Sequence, residues 1–164
     1  MADFNRAVSK TLIREGGAKI TNDPTDKGGL TKYGIAQASH PNVDIRNLTE
    51  EQAKVIYKDG YWNGIKGDQL INQEIAEALF DTAVNMGPRM AVKLAQQALE
   101  VPDDGGLGPV TLAALNEAGG NYNLAHAFLS DYKLAKIARY VDICKKDDSQ
   151  RRFLVGWISR TLES

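Results

Sequence analysis

Residues 71–86 constrain the fold more than any other stretch of the chain. Ile75, Ala76, Leu79, Phe80, Ala83 and Val84 recur at three- and four-residue steps, the pattern of a wide apolar helix face. So dense a face reads as the buried centre of a fold, and a helix of that kind requires other elements around it. Gly87-Pro88 stops it, and Pro88 suits the first turn of a following helix over 88–99. The spacing predicts further helices over 3–15, near 109–117, and over 122–144 and 148–161. Thr49 and Gln52 form a capping box that opens a helix through Tyr57, and Gly60-Tyr61-Trp62-Asn63-Gly64 reads as an aromatic break after it. The expectation is a mainly α fold, a helical bundle around one central buried helix.

Two regions depart from the helical pattern. Residues 16–35 are rich in Gly, Asp, Thr and Pro, with β-prone patches at 19–21 and 30–33, and predict a small β-hairpin or an ordered loop. Val101-Pro102-Asp103-Asp104-Gly105-Gly106 is a turn cluster and the expected internal boundary, with residues 101–164 packed as a helical region onto residues 1–100. Gly-Gly-Leu recurs at 28–30 and 105–107, but nothing else lines up, so no internal repeat is read.

Composition narrows the function. A hydrophobic fraction of 43% over 164 residues is enough for a real core. The net charge of −1 argues against a nucleic-acid partner and an electrostatic membrane anchor. No stretch approaches transmembrane length, so stable membrane insertion is not expected. Cys144 is the only cysteine, which excludes an internal disulfide and cysteine-rich zinc sites. Asn22 to Gly28 grazes a calcium-loop pattern, but Pro24 and Gly28 fall out of register and no glutamate stands twelfth from Asp23. Neither metal nor cofactor is expected. Met-Ala-Asp-Phe-Asn-Arg at the N-terminus has no apolar signal region, so synthesis in the cytosol is expected.

Glu15 closes the first helix directly before Gly16-Gly17, on the apolar stripe counted 4, 8, 12, 15. Partial burial and the negative end of the helix dipole both disfavour its anion there. A carboxyl group kept protonated is what a glycosidase uses to protonate a leaving oxygen. A frayed, exposed glutamate at a helix end is the competing reading. Asp23, Asp26 and Thr31 follow in a glycine-rich segment that returns the chain toward this helix. Glycoside hydrolysis needs a second polar group to hold water or attack the anomeric carbon. Asp26 is the better candidate, because it stands beside the glycines whereas Asp23-Pro24 has the form of a turn start. Thr31 can share the water through its hydroxyl. Plain turn chemistry is the competing account of both aspartates.

These residues carry a resemblance. Glu15-Gly16-Gly17, then Asn22 through Ile35 (with Asp26-Lys27-Gly28-Gly29-Leu30-Thr31-Lys32-Tyr33-Gly34), resembles the signature segment of glycoside hydrolase family 108, bacterial and phage N-acetylmuramidases. The likeness continues at Tyr61-Trp62 and at Phe80-Asp81-Thr82-Ala83-Val84-Asn85-Met86-Gly87. Asp104-Gly105-Gly106-Leu107-Gly108-Pro109 and Gly156-Trp157 resemble the peptidoglycan-binding module that usually follows. Ala18 departs from the pattern, which usually has an aromatic residue after the glycine pair.

The resemblance implies a lysozyme-like α+β fold, with residues 1–100 as the muramidase region and 101–164 as the peptidoglycan-binding one. It implies cleavage of the β-1,4 bond between N-acetylmuramic acid and N-acetylglucosamine, with peptidoglycan glycan strands as partner and Glu15 as general acid. The order Glu15, Asp26, Thr31 is also similar to the Glu/Asp/Thr arrangement of phage lysozymes, so Asp26 and Thr31 would orient water or stabilise the transition state. A monomeric endolysin, released to the wall through a holin-like pore, is the expected biological setting. Tyr33, Tyr61 and Trp62 are candidates to stack on sugar rings, against the alternative of core packing. Asn85, with Asp81 one turn before it, would line the cleft floor or satisfy buried backbone. His40 and His126 lack a partner motif and read as structural, and Phe153 and Trp157 as core residues. Two rival readings stay open: a lytic transglycosylase on the same fold, and a non-catalytic peptidoglycan-binding protein.

Overall fold

A computed structural model describes residues 1–22 and 29–163. Helix α1 (Phe4–Arg14) begins at Asp3, whose carboxylate accepts from the amides of Asn5 and Arg6. Its end is a Schellman motif. The Gly17 N–H donates to the Leu12 carbonyl at 2.8 Å and the Gly16 N–H to the Ile13 carbonyl at 3.2 Å, with the two glycines at φ 58° and 92°. The glycine pair therefore turns the chain away directly after Glu15.

Three short strands follow, β1 (Thr21–Asn22), β2 (Leu30–Lys32) and β3 (Ile35–Ala36), in one antiparallel sheet of that order. Thr21 faces Thr31, and Lys32 faces Ile35. The third strand was not foreseen from the residues. It forms because Tyr33 and Gly34 both take positive φ, 54° and 76°, the requirement of a two-residue type I′ hairpin. The Tyr33 N–H donates to the Gly17 carbonyl at 3.0 Å, which pins this hairpin onto the cap of α1.

Helix α2 (Glu50–Tyr57) opens with the expected capping box. The expected break after it does not occur: Lys58–Trp62 winds on as a π turn and Asn63–Ile65 as a 3₁₀ turn. The cause is Trp62, which is fully buried and donates its indole N–H to Asp68 at 2.8 Å. Gly67 lies so close to the indole that a Cβ would overlap it.

The central helix α3 (Gln73–Met86) is buried through Ile75, Ala76, Leu79, Phe80, Asp81, Thr82 and Ala83. Helix α4 (Pro88–Ala98) packs against α3, and the long α6 (Tyr122–Lys146) packs against α4, α5 (Pro109–Gly119) and α7 (Arg151–Leu162). The turn over 101–108 is tied to α4 by Gln96. Its amide donates to Asp104, Gly106 and Thr111, and its oxygen accepts from the Gly105 N–H. One buried cluster runs from Ala2 to Tyr132. Beyond it, Tyr140 and Trp157 stack at 4.9 Å where α7 returns along α6, while Phe153 is 43% exposed and not the core residue expected. The mainly α, lysozyme-like architecture is as expected. Among the described residues no helix is long and apolar enough to cross a membrane.

Candidate active site

The cap of α1 and the β2–β3 turn meet on Glu15. Its side chain is 24% exposed. A Cβ placed on Gly34 would stand 2.7 Å from Glu15 Cβ and 2.7 Å from the Tyr57 hydroxyl, so only glycine lets the turn come this close. The Tyr57 hydroxyl donates to the Tyr33 carbonyl at 2.9 Å and holds the turn from its other side. Burial, and then the charge of Glu15, push this hydroxyl above the usual tyrosine range, so it stays a neutral donor.

A cavity of about 180 Å³ opens beside Glu15. Ser39, His40, Tyr57, Tyr61 and Asn85 supply its polar lining, and Ile35, Ile56 and Val84 its apolar wall. Tyr61 and Asn85, both candidates from the sequence, line this cavity together with Glu15. His40, expected to be structural, is here too, and its Nδ1 is buried without a hydrogen-bond partner among the described residues. No motif could have placed it. The His40 N–H donates to the Ala36 carbonyl, so the unforeseen third strand carries it to the site.

Other candidates lie elsewhere. Trp62 is sealed in the core, which corrects the expectation that it stacks on a sugar. Thr31 is on β2, its hydroxyl donating to the Gly29 carbonyl at 3.4 Å, and neither it nor Tyr33 lines the cavity. Lys32 Nζ lies over the Tyr33 ring at 5.6 Å. Asp26 and Asp23 lie outside the described residues.

Behind Glu15 is a cluster of charges that sequence reasoning missed. Arg160 of α7 donates through Nη2 to Glu15 Oε1 at 2.9 Å and, through the same nitrogen, to Asp81 Oδ1 at 3.1 Å. Arg14 Nη1 donates to Asp81 Oδ1 at 2.6 Å, and Lys136 Nζ stands 3.5 Å from Oδ2. Asp81 and Lys136 are both buried. Burial works against the Arg160 charge, but Asp81 and Glu15 more than offset it and hold the guanidinium above its usual range. Lys136 goes the other way, because burial lowers it by more than Asp81 restores. A wider groove of about 790 Å³ lies beyond Arg14 and Asp81, between α1, α3 and α6. Of its lining charges, Glu77 pairs with Lys10 and Asp81 with Arg14. Chemically, the smaller cavity offers, among the described residues, one carboxyl group that can give up a proton, with a fixed cation behind it to stabilise the carboxylate left. Among the described residues no group of three His, Cys, Asp or Glu could hold a metal.

Residues 8–87 match the glycosyl hydrolase 108 family, and residues 82–162 match the family described as a predicted peptidoglycan domain. Among solved structures, SagA of Brucella abortus is similar, with a TM-score of 0.68 and 28% identity. The similarity covers 98% of this chain and 94% of that one. No curated protein matches the chain.

Proposed function

The chain belongs to the glycosyl hydrolase 108 family and carries the predicted peptidoglycan domain, a glycoside hydrolase directed at peptidoglycan, and from that premise we propose that it is a lysozyme-type N-acetylmuramidase. On this reading it cuts the β-1,4 bond between N-acetylmuramic acid and N-acetylglucosamine. The observation that carries it is that Glu15 is the one carboxyl group among the described residues lining the small cavity, surrounded by groups suited to a sugar.

A glycan strand laid across the cavity meets Tyr61 with a ring face and Ser39, His40 and Asn85 with its hydroxyl or acetamido groups. Glu15 protonates the leaving glycosidic oxygen, a step that supplies about 10²–10⁴-fold. Asp26 is kept, on the family resemblance, as the group that orients water or stabilises the transition state. The amide variant tests the assignment. Glu15→Gln should lose at least about 10²-fold in the digestion of purified murein while keeping its helical spectrum. Most of the activity surviving in that variant would remove Glu15 from the role. Product mass reads the reaction type, since hydrolysis adds water whereas a lytic transglycosylase leaves an anhydro sugar.

A further inference from the structure

Taking Glu15 as the acid, we propose that Arg160 is its positioning residue, anchored by Asp81, so that the C-terminal half completes the catalytic site as well as addressing the substrate. The residue sits 145 positions from Glu15 and within the region matching the peptidoglycan domain. One guanidinium nitrogen is shared between the two carboxylates at 2.9 and 3.1 Å, so the place of Asp81 fixes the place of Arg160. Asp81 cannot drift, because Arg14 and Lys136 hold it from α1 and α6 and its side chain is only 8% exposed. The register of α7 is set in turn by fully buried Thr161 and by the Tyr140–Trp157 stack.

This arrangement suits an acid that must lose its proton during the reaction. Negative charge then develops on a carboxylate that already faces a fixed cation, and nothing has to reorganise. Lysine would supply the charge, but on a flexible stem in place of a rigid planar guanidinium, so it would hold the two carboxylates less firmly. Among the described residues, the groups facing Glu15 are Arg160 from α7, Tyr57 and Tyr61 from α2 and its π extension, and His40 from the loop after β3. Asp81 on α3 reaches it through Arg160.

The test uses full-length Arg160→Met and Arg160→Lys, with kcat and apparent KM on purified murein, a murein pelleting assay, and the pH profile. We expect kcat to fall about 10²-fold in the Met variant, with KM and pelleting unchanged. The pH above which activity fades should move upward, because the cation that favours the carboxylate is gone. The Lys variant should recover part of both. A Met variant with kcat within about twofold and an unmoved pH edge overturns the proposal, as does a loss that follows murein binding alone. Should the Met variant fail to fold, Arg160→Lys decides by itself, since wild-type kcat and pH edge there also overturn it. Failure of the Glu15 reading is separable: it shows as activity in Glu15→Gln, whatever the Arg160 variants do.

Discussion

Phe80 and Asp81 are neighbours on α3 and point about 100° apart, into two kinds of interior. Phe80 enters a ring of aromatics, with centroids 5.5 Å from Trp62, 6.0 Å from Phe4 and 6.3 Å from Tyr57. Asp81 enters a cluster of cations, Arg14, Lys136 and Arg160. The first interior works by volume and non-directional attraction, so it tolerates exchange of shape for similar shape. The second works by charge count and hydrogen-bond geometry, so removing one particular member leaves the others exposed to the full penalty of burial. Both reach Glu15. The aromatic side supports Tyr57 and through it the hairpin turn, and the charged side supports Arg160. The site thus combines a forgiving support with an unforgiving one.

The sharpest way to break this comparison is Asp81→Ala. It leaves three cations around a void and should cost about 3–5 kcal/mol, read by urea or guanidinium unfolding. Activity in the folded fraction should fall as well, since Arg160 loses its anchor. A loss under about 1 kcal/mol would mean that water, not Asp81, compensates these cations.

On the other face, Phe80→Leu should cost less, about 1–2 kcal/mol, because an apolar side chain of smaller volume stays in the slot. Its kcat should hold near wild type, with stability alone reduced. If its loss equalled that of Asp81→Ala, the aromatic side would be as exacting as the charged one.

The contrast also explains what could be read from the residues. Glu15 was legible because everything that marks it is local: a stripe at helical spacing and two glycines that must take positive φ. Asn85 and Tyr61 were legible for the same reason, each standing near the end of a recognisable helix. Arg160 was not, because an ion pair spanning 145 positions leaves no periodicity. Asp81 gave a partial signal, since a carboxylate on so apolar a helix needs cations, but nothing in the sequence names which ones. Trp62 misled because glycines on either side of it look like punctuation. Gly67, slightly further on, instead makes room for the indole, and the helix winds through. Tyr33 concealed the third strand, since a non-glycine residue at positive φ carries no turn signature.

The smallest expected effect belongs to Lys136→Met, and it separates the members of the charged cluster. Lys136 is 1% exposed, and Met fills a similar slot without a charge. Asp81 would keep Arg14 at 2.6 Å and Arg160 at 3.1 Å, so no carboxylate is stranded. Burial lowers Lys136 below its unfolded value, and Asp81 restores only part of that. A lysine lowered in this way carries its burial penalty in full at pH values below the folded value. The penalty fades as pH climbs toward the unfolded value of about 10.4, because the folded state gives up its proton first. The Met variant should therefore lie within about 1 kcal/mol of wild type near neutrality, on the more stable side. That advantage should shrink as unfolding is repeated at rising alkaline pH. A loss of several kcal/mol at neutral pH would show instead that Asp81 depends on all three cations, and that the cluster has no dispensable member.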